Sequence, residues 1–185
     1  MANTRILVVY YSRSGTTREV ARALSAALQC DTEEIVETRD RGGAFGYLRS
    51  LIEARRRRAA ATVQPTKQDP SVYHLVVIGS PVWVWSVSSP VRAYMETNRT
   101  RFPAVAFFCT CGGAGAESAF AQMRELAGKA PRARAFFTAR QVASRRLEPR
   151  LSEFVAALAG PNDRTADTAG ADHANAAKIS STAFS

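Results

Sequence analysis

The chain has 185 residues, 46% of them apolar, and a formal net charge of +9. That length suffices for one domain with its own core, and no apolar run reaches the length of a membrane span. The three cysteines, Cys30, Cys109 and Cys111, are odd in number and lack C-x-x-C spacing. This argues against a disulfide framework and for free thiols in a reducing, cytoplasmic setting.

Ile6–Tyr11 reads as a first core strand. It leads into the hydroxyl-rich stretch Ser12-Arg13-Ser14-Gly15-Thr16-Thr17. An amphipathic helix follows, with Val20, Ala21, Leu24, Ala27 and Leu28 on its apolar side. A loop of this kind can hold one phosphate with backbone N–H groups, hydroxyls and the positive end of a helix. A triphosphate loop, G-x-x-x-x-G-K-[ST], is absent, and no lysine lies between Met1 and Ser50. A dinucleotide loop, G-x-G-x-x-G, is absent too, since Gly15 stands alone. A monophosphate is the natural ligand; the alternative is an ordinary strand-to-helix turn with a Ser/Thr cap.

Glu34–Glu37 is a short candidate second strand. A helix is predicted over Phe45–Ala61, opened by Gly42-Gly43. It carries the block Arg55–Arg58, which reads as a solvated helix face or, alternatively, as a polyanion-binding face. No stacking aromatics are interleaved with these arginines, which disfavours nucleic acid. Tyr73–Gly79 is nearly all apolar, as a central parallel strand should be. The loop Gly79-Ser80-Pro81-Val82-Trp83-Val84-Trp85-Ser86 holds both tryptophans of the chain. Two indoles there predict a platform for a flat ring, with packed loop aromatics as the alternative.

Pro90–Thr97 suits a helix with proline in its first turn. Pro103–Thr110 is a fourth strand, followed by Thr110-Cys111-Gly112-Gly113-Ala114-Gly115. Ala116–Gly128 is a helix closed by glycine, and Ala133–Thr138 is a fifth strand. A last helix has Leu151, Phe154, Val155 and Leu158 on one side and Pro149 at its start. Cys109 and Cys111 share a strand face, as buried thiols or as a redox pair.

Five strands alternating with helices predict a three-layer α/β sandwich with a parallel sheet. Residues 1–160 form the domain. Residues 161–185, rich in Ala, Thr, Ser and Asp, read as a disordered tail. In open α/β sheets, ligands bind outside the carboxyl ends of the strands. Three loops therefore converge: a monophosphate site, a flat-ring platform and a glycine loop for the ring's edge. These needs match flavin mononucleotide (FMN).

Val8-Val9-Tyr10-Tyr11-Ser12-Arg13-Ser14-Gly15-Thr16-Thr17-Arg18-Glu19-Val20-Ala21 resembles the phosphate-loop pattern of the flavodoxin-like family of FMN proteins. Gly79–Met95 and Phe107–Gly115 resemble that family's second and third flavin loops. The resemblance implies a five-stranded sheet in order 2-1-3-4-5. It implies that Ser12, Ser14, Thr16 and Thr17 hold the phosphate, with N–H groups from Arg13 and Gly15. Pro81, Val82 and Trp83 would lie along the ring, with Val84 beside them and Trp85 as an alternative outer wall. Thr110, Cys111, Gly112, Gly113 and Gly115 would form the third loop, with Thr110, Gly112 and Gly113 meeting the ribityl and pyrimidine sides.

The implied function is electron transfer through an exposed flavin edge, as a carrier or small reductase. An NAD(P)H:quinone-type oxidoreductase is the alternative. A cofactor-free polyanion-binding or interaction module using Arg55–Arg58 is the alternative from another class. Expected partners are a redox protein or a small acceptor such as a quinone, with a nicotinamide donor and a dimer both open. No catalytic side chain and no metal site is expected. His74 begins the third strand at the far end, His173 lies in the tail, and no G-x-S-x-G elbow occurs. The flavin-ring loops contain no Asp or Glu, and Arg92, Arg99 and Arg101 follow the second loop. Positive charge near the ring would favour the reduced, negatively charged flavin. The expectation is a less negative potential than in acidic carriers of the family.

Overall fold

The computed structural model describes residues 5–37, 63–64 and 66–160. The expected helix over Phe45–Ala61, the Arg55–Arg58 block and the tail from Pro161 lie outside the described residues. Strands β1 (Ile6–Tyr10), β2 (Asp31–Glu34), β3 (Leu75–Trp83), β4 (Ser86–Val87), β5 (Ala104–Cys111) and β6 (Arg134–Thr138) alternate with helices. These are α1 (Thr16–Leu28), α2 (Ser89–Asn98), α3 (Ala116–Ala127), α4 (Ala139–Ala143) and α5 (Arg150–Ala159). The sheet order is β2-β1-β3-β5-β6, all parallel, with β4 added antiparallel to β3. This is the three-layer, flavodoxin-like winding expected from the alternation of elements.

Each central strand is apolar on both faces because helices cover both. On one face Leu7, Val9, Val76, Ile78, Val105 and Phe107 pack with residues of α2 and α3. On the other, Val8, Tyr10, Leu75, Val77, Ala106 and Phe108 meet Val20, Ala21 and Leu24 of α1, and Leu151, Phe154 and Leu158 of α5. Gly79 lies opposite Phe108 in the ladder, and a Cβ there would stand 2.0 Å from Phe108 Cζ. The missing side chain leaves the space that ring occupies.

Several boundaries differ from the sequence expectation. The second strand is Asp31–Glu34, not Glu34–Glu37. Register with β1 and side-chain ties fix it: Glu34 accepts from Arg18 (Nη2, 2.6 Å; Nε, 3.0 Å), and Asp31 accepts from Tyr73 Oη at 2.8 Å. Glu37 falls outside it, in an isolated antiparallel bridge with Val63. Ala27 of α1 is exposed rather than packed, because α1 buries Thr17, Val20, Ala21 and Leu24 instead. Pro149 occupies the N-cap position of α5, ahead of the helix interior where its ring would clash, and α4 precedes it with a Thr138–Gln141 capping box. Gly128 closes α3 in the left-handed region (φ 67°).

Candidate functional site

The largest departure from the sequence reading forms the site. β3 does not stop at Gly79 but runs on through Ser80, Pro81, Val82 and Trp83. β1 ends opposite Gly79, whereas β5 continues beside Ser80 and Pro81. A strand flanked on one side tolerates proline. The chain then reverses over Val84-Trp85, with Trp83 paired to Ser86 and Val82 to Val87. Val84 and Trp85 both have positive φ, 49° and 56°. The type I′ form of a two-residue hairpin loop needs this at both central positions, which is why Asn-Gly is its favoured pair. For a branched and an aromatic residue it costs about 1–2 kcal/mol each.

Chain segments meet at the carboxyl ends of β1, β3, β5 and β6. They bound a cleft of about 410 Å³ lined by Arg13, Ser14, Thr16, Thr17, Pro81, Val82, Trp83, Thr110, Cys111, Gly112 and Ala139. Gly15 starts α1 with φ 92°, and the first N–H groups of that helix lack intrahelical acceptors. Ser14 Oγ and Thr16 Oγ1 are 3.3 Å apart. Each hydroxyl has one hydrogen, so a mutual bond uses one of the two and leaves the other for a ligand. Thr17 Oγ1 and Thr110 Oγ1, both buried, are 2.8 Å apart and tie α1 to β5 at the cleft floor.

Thr17→Val leaves the Thr110 hydroxyl buried and unpaired, with an expected loss of about 1–3 kcal/mol. The double variant Thr17→Val, Thr110→Val should recover most of that loss. Urea unfolding of the four proteins checks it; equal losses in single and double variants would contradict the pairing.

The other sequence candidates take different places. Ser12 is buried, and its Oγ accepts from Arg18 N at 3.2 Å, so it braces the loop from inside. Gly113 (φ 142°) is exposed next to Gly112, and a Cβ at either would meet nothing within 4 Å. Gly115 (φ 89°) packs under the hairpin: a Cβ there would stand 3.0 Å from Trp85 Cα and from Val82 Cγ1. Val84 and Trp85 are exposed at the turn, Trp85 at 62%, and do not line the cleft. Trp83 does, and Tyr11 holds it edge to face with ring centroids 5.8 Å apart. Tyr11 in turn donates to Glu37 Oε2 at 2.7 Å.

Tyr11, Gln122 and Ala139 escaped sequence reasoning. In the sequence Tyr11 is simply the end of an apolar strand, and Ala139 follows a strand whose loop has no distinctive residues. Gln122 lies mid-helix, where no local pattern marks it.

The expected positive cluster is corrected by the fold. Arg101 pairs with Asp69 (2.6 Å), just ahead of β3's amino end, and Arg99 lies over Gly128 at the end of α3. Both are at the opposite end of the sheet from the cleft, because α2 runs antiparallel to the strands. Arg92 is buried and donates to Gln122. Among the described residues, Arg13 is the arginine that lines the cleft. His74 also sits at the far end, its Nδ1 accepting from Arg5 N at 3.2 Å. Cys109 and Cys111 are free and buried; burial pushes the Cys109 thiol well up. Cys30, half-buried beside Asp31, is pushed up to about 11 by desolvation first and by that carboxylate second.

The donors suit FMN. Hydroxyls and helix N–H groups face one end of the cleft, an indole with apolar neighbours forms one wall, and Gly112 leaves backbone open at the other edge. Among the described residues no helix is long and apolar enough to cross a membrane, and no group of three or more His, Cys, Asp and Glu gathers as metal ligands would.

The chain resembles a flavoprotein from Lactobacillus acidophilus NCFM solved in complex with FMN: TM-score 0.65, 22% identity, covering 76% of this chain and 97% of that one. A candidate flavoprotein from Bacteroides eggerthii gives TM-score 0.69 at 20% identity, covering 86% of this chain and 100% of the other. At these identities the likeness concerns the fold. No curated protein sequence matches the chain significantly. The sequence profile of the flavodoxin family matches residues 5–135, well over half of the chain, and the chain therefore belongs to that family.

Proposed function

We propose that this chain binds FMN across the carboxyl ends of β1, β3 and β5 and passes electrons at the flavin's exposed edge, as a carrier or small reductase. One observation carries the reading: a hydroxyl loop, an indole and a glycine turn, distant in sequence, line one cleft of about 410 Å³. Ser14 and Thr16, the N–H groups of Arg13 and Gly15, and the start of α1 would hold the phosphate. Thr17 would serve there with whichever hydroxyl hydrogen its bond to Thr110 leaves free. Pro81, Val82 and Trp83 would flank the ring. Thr110, Gly112 and Gly113 would meet its ribityl and pyrimidine sides.

FMN, when bound, supplies one- and two-electron transfer. The protein's part is to bind, orient and tune it. Among the described cleft-lining residues, Arg13 and Cys111 are the ionisable side chains, so no side-chain acid or base is proposed.

The test is an FMN titration followed by visible absorbance and tryptophan fluorescence. Saturable binding with quenching of both fluorophores is expected. A colourless protein that refuses FMN, and instead binds polyanions in a salt-dependent way, would replace this reading with that of an interaction module. The second reading, an NAD(P)H:quinone-type oxidoreductase, is separated from a carrier by steady-state turnover of NAD(P)H with a quinone.

The absence of Asp and Glu from the ring loops and the presence of Arg13 at the cleft support a less negative potential than in acidic carriers. With Arg99 and Arg101 at the far end, the shift rests on fewer charges. Redox titration of the loaded protein checks it; a potential as low as theirs would overturn it.

A further inference from the structure

Gln122, in the middle of α3, is buried and does not line the cleft. Its side-chain oxygen accepts from Ser86 Oγ and from Arg92 Nη2, each at 2.7 Å. Its Nε2 donates to the Trp85 carbonyl at 3.1 Å and to Ser118 Oγ at 3.3 Å. The orientation of this amide is forced. Arginine has donors only, so the oxygen must face Arg92 and the N–H must face the carbonyl. Arg92 is itself buried. A buried guanidinium is a costly way to fill space, and here it aims an amide at one backbone atom of one turn.

That turn needs the help. Val84 and Trp85 both sit at positive φ, in a hairpin whose favoured residues are Asn and Gly. The turn also sets the register of the Trp83–Ser86 pair. In a strand, a slip of one residue sends every side chain to the other face. Trp83 is the cleft wall, so whatever holds the turn holds the wall.

We propose that Gln122 is a positioning residue for the flavin site: its N–H, aimed by Arg92 and Ser86, tethers the Trp85 carbonyl and keeps the Val84–Trp85 turn in its left-handed form. This rests on the FMN reading for its consequence, but the tether itself exists without ligand.

Gln122→Glu tests it. The carboxylate keeps the acceptor for Arg92 and Ser86 and gains an ion pair with the guanidinium. The donor to Trp85 is lost, and a second oxygen faces that carbonyl. In a Trp83→Phe background Trp85 is the sole indole. Its time-resolved anisotropy, measured without FMN, should show a larger nanosecond loss than in the Trp83→Phe parent. In the native background FMN should bind about tenfold more weakly, the scale of one lost hydrogen bond. Adding Val84→Asn, which suits the turn on its own, should restore both readouts.

Should Gln122→Glu not fold, the pair Gln122→Met with Arg92→Met removes the donor and the buried charge together, and the same changes are expected. Unchanged Trp85 mobility in a folded variant would overturn the proposal. So would a loss that Val84→Asn leaves uncorrected. Failure of the native chain to bind FMN would overturn the flavin reading alone, because the anisotropy arm still decides the tether.

Discussion

Gly79→Ala is expected to lower stability by about 3 kcal/mol, at the upper end of overpacking costs. The added methyl would stand 2.0, 2.4 and 2.7 Å from three carbons of the Phe108 ring. Phe108 is fully buried in one cluster with Val77, Ala106 and Phe137, so its ring has little room to move aside. For a chain of this size the midpoint of thermal unfolding should fall by about 6–12 °C. Pairing the change with Phe108→Leu should recover part of the loss, since the smaller side chain frees the space. The effect reaches function because Gly79 lies at the point where β3 leaves β1 and heads into the cleft. An unchanged melting curve would show that the ring does not lie over Gly79.

The second large effect concerns the ligand. Riboflavin, which is FMN without its phosphate, should bind at least about a hundredfold more weakly than FMN. Hydrogen bonds to a charged group contribute about 1.5–3 kcal/mol each, so two of them already supply that ratio. The donors are the Ser14–Thr16 hydroxyl pair and the N–H groups that open α1 after Gly15. The loop carries no acid, and Arg13 stands at the cleft. Competition of the two flavins by fluorescence titration measures the ratio. Equal affinities would remove the phosphate from the loop and leave only the ring platform in place.

The sequence was most informative where pattern and chemistry coincide over several residues. Ile6–Tyr10, Ala104–Cys111 and the central part of β3 are long apolar runs because both their faces are covered. The hydroxyl loop was legible because it combines a strand end, a lone glycine and a helix start. The second strand is poorly marked in the sequence for the converse reason. Asp31-Thr32-Glu33-Glu34 is an edge strand without an apolar face, and the buried Ile35 just beyond it drew the assignment forward. Pairing with β1 decides its position, and that pairing is long-range. The extension of β3 through Pro81 was hidden likewise, because proline reads as a strand breaker until the neighbouring strand is known to have ended.

Which charges belong to the site was also a question of direction. Arg92, Arg99 and Arg101 follow the second loop in sequence, yet α2 carries the last two to the far end of the sheet, where Arg101 meets Asp69. The tryptophans divide in the same way. Trp83 and Trp85 are two residues apart, but the hairpin turn places one in the cleft wall against Tyr11 and the other in solvent. Local residue types determined that this chain would form a parallel α/β sheet and offer three loops suited to a phosphate, a ring and its edge. The tertiary structure alone decided which side chains face the cleft, because strand ends, helix directions and the Gln122 tether depend on partners brought from distant parts of the chain.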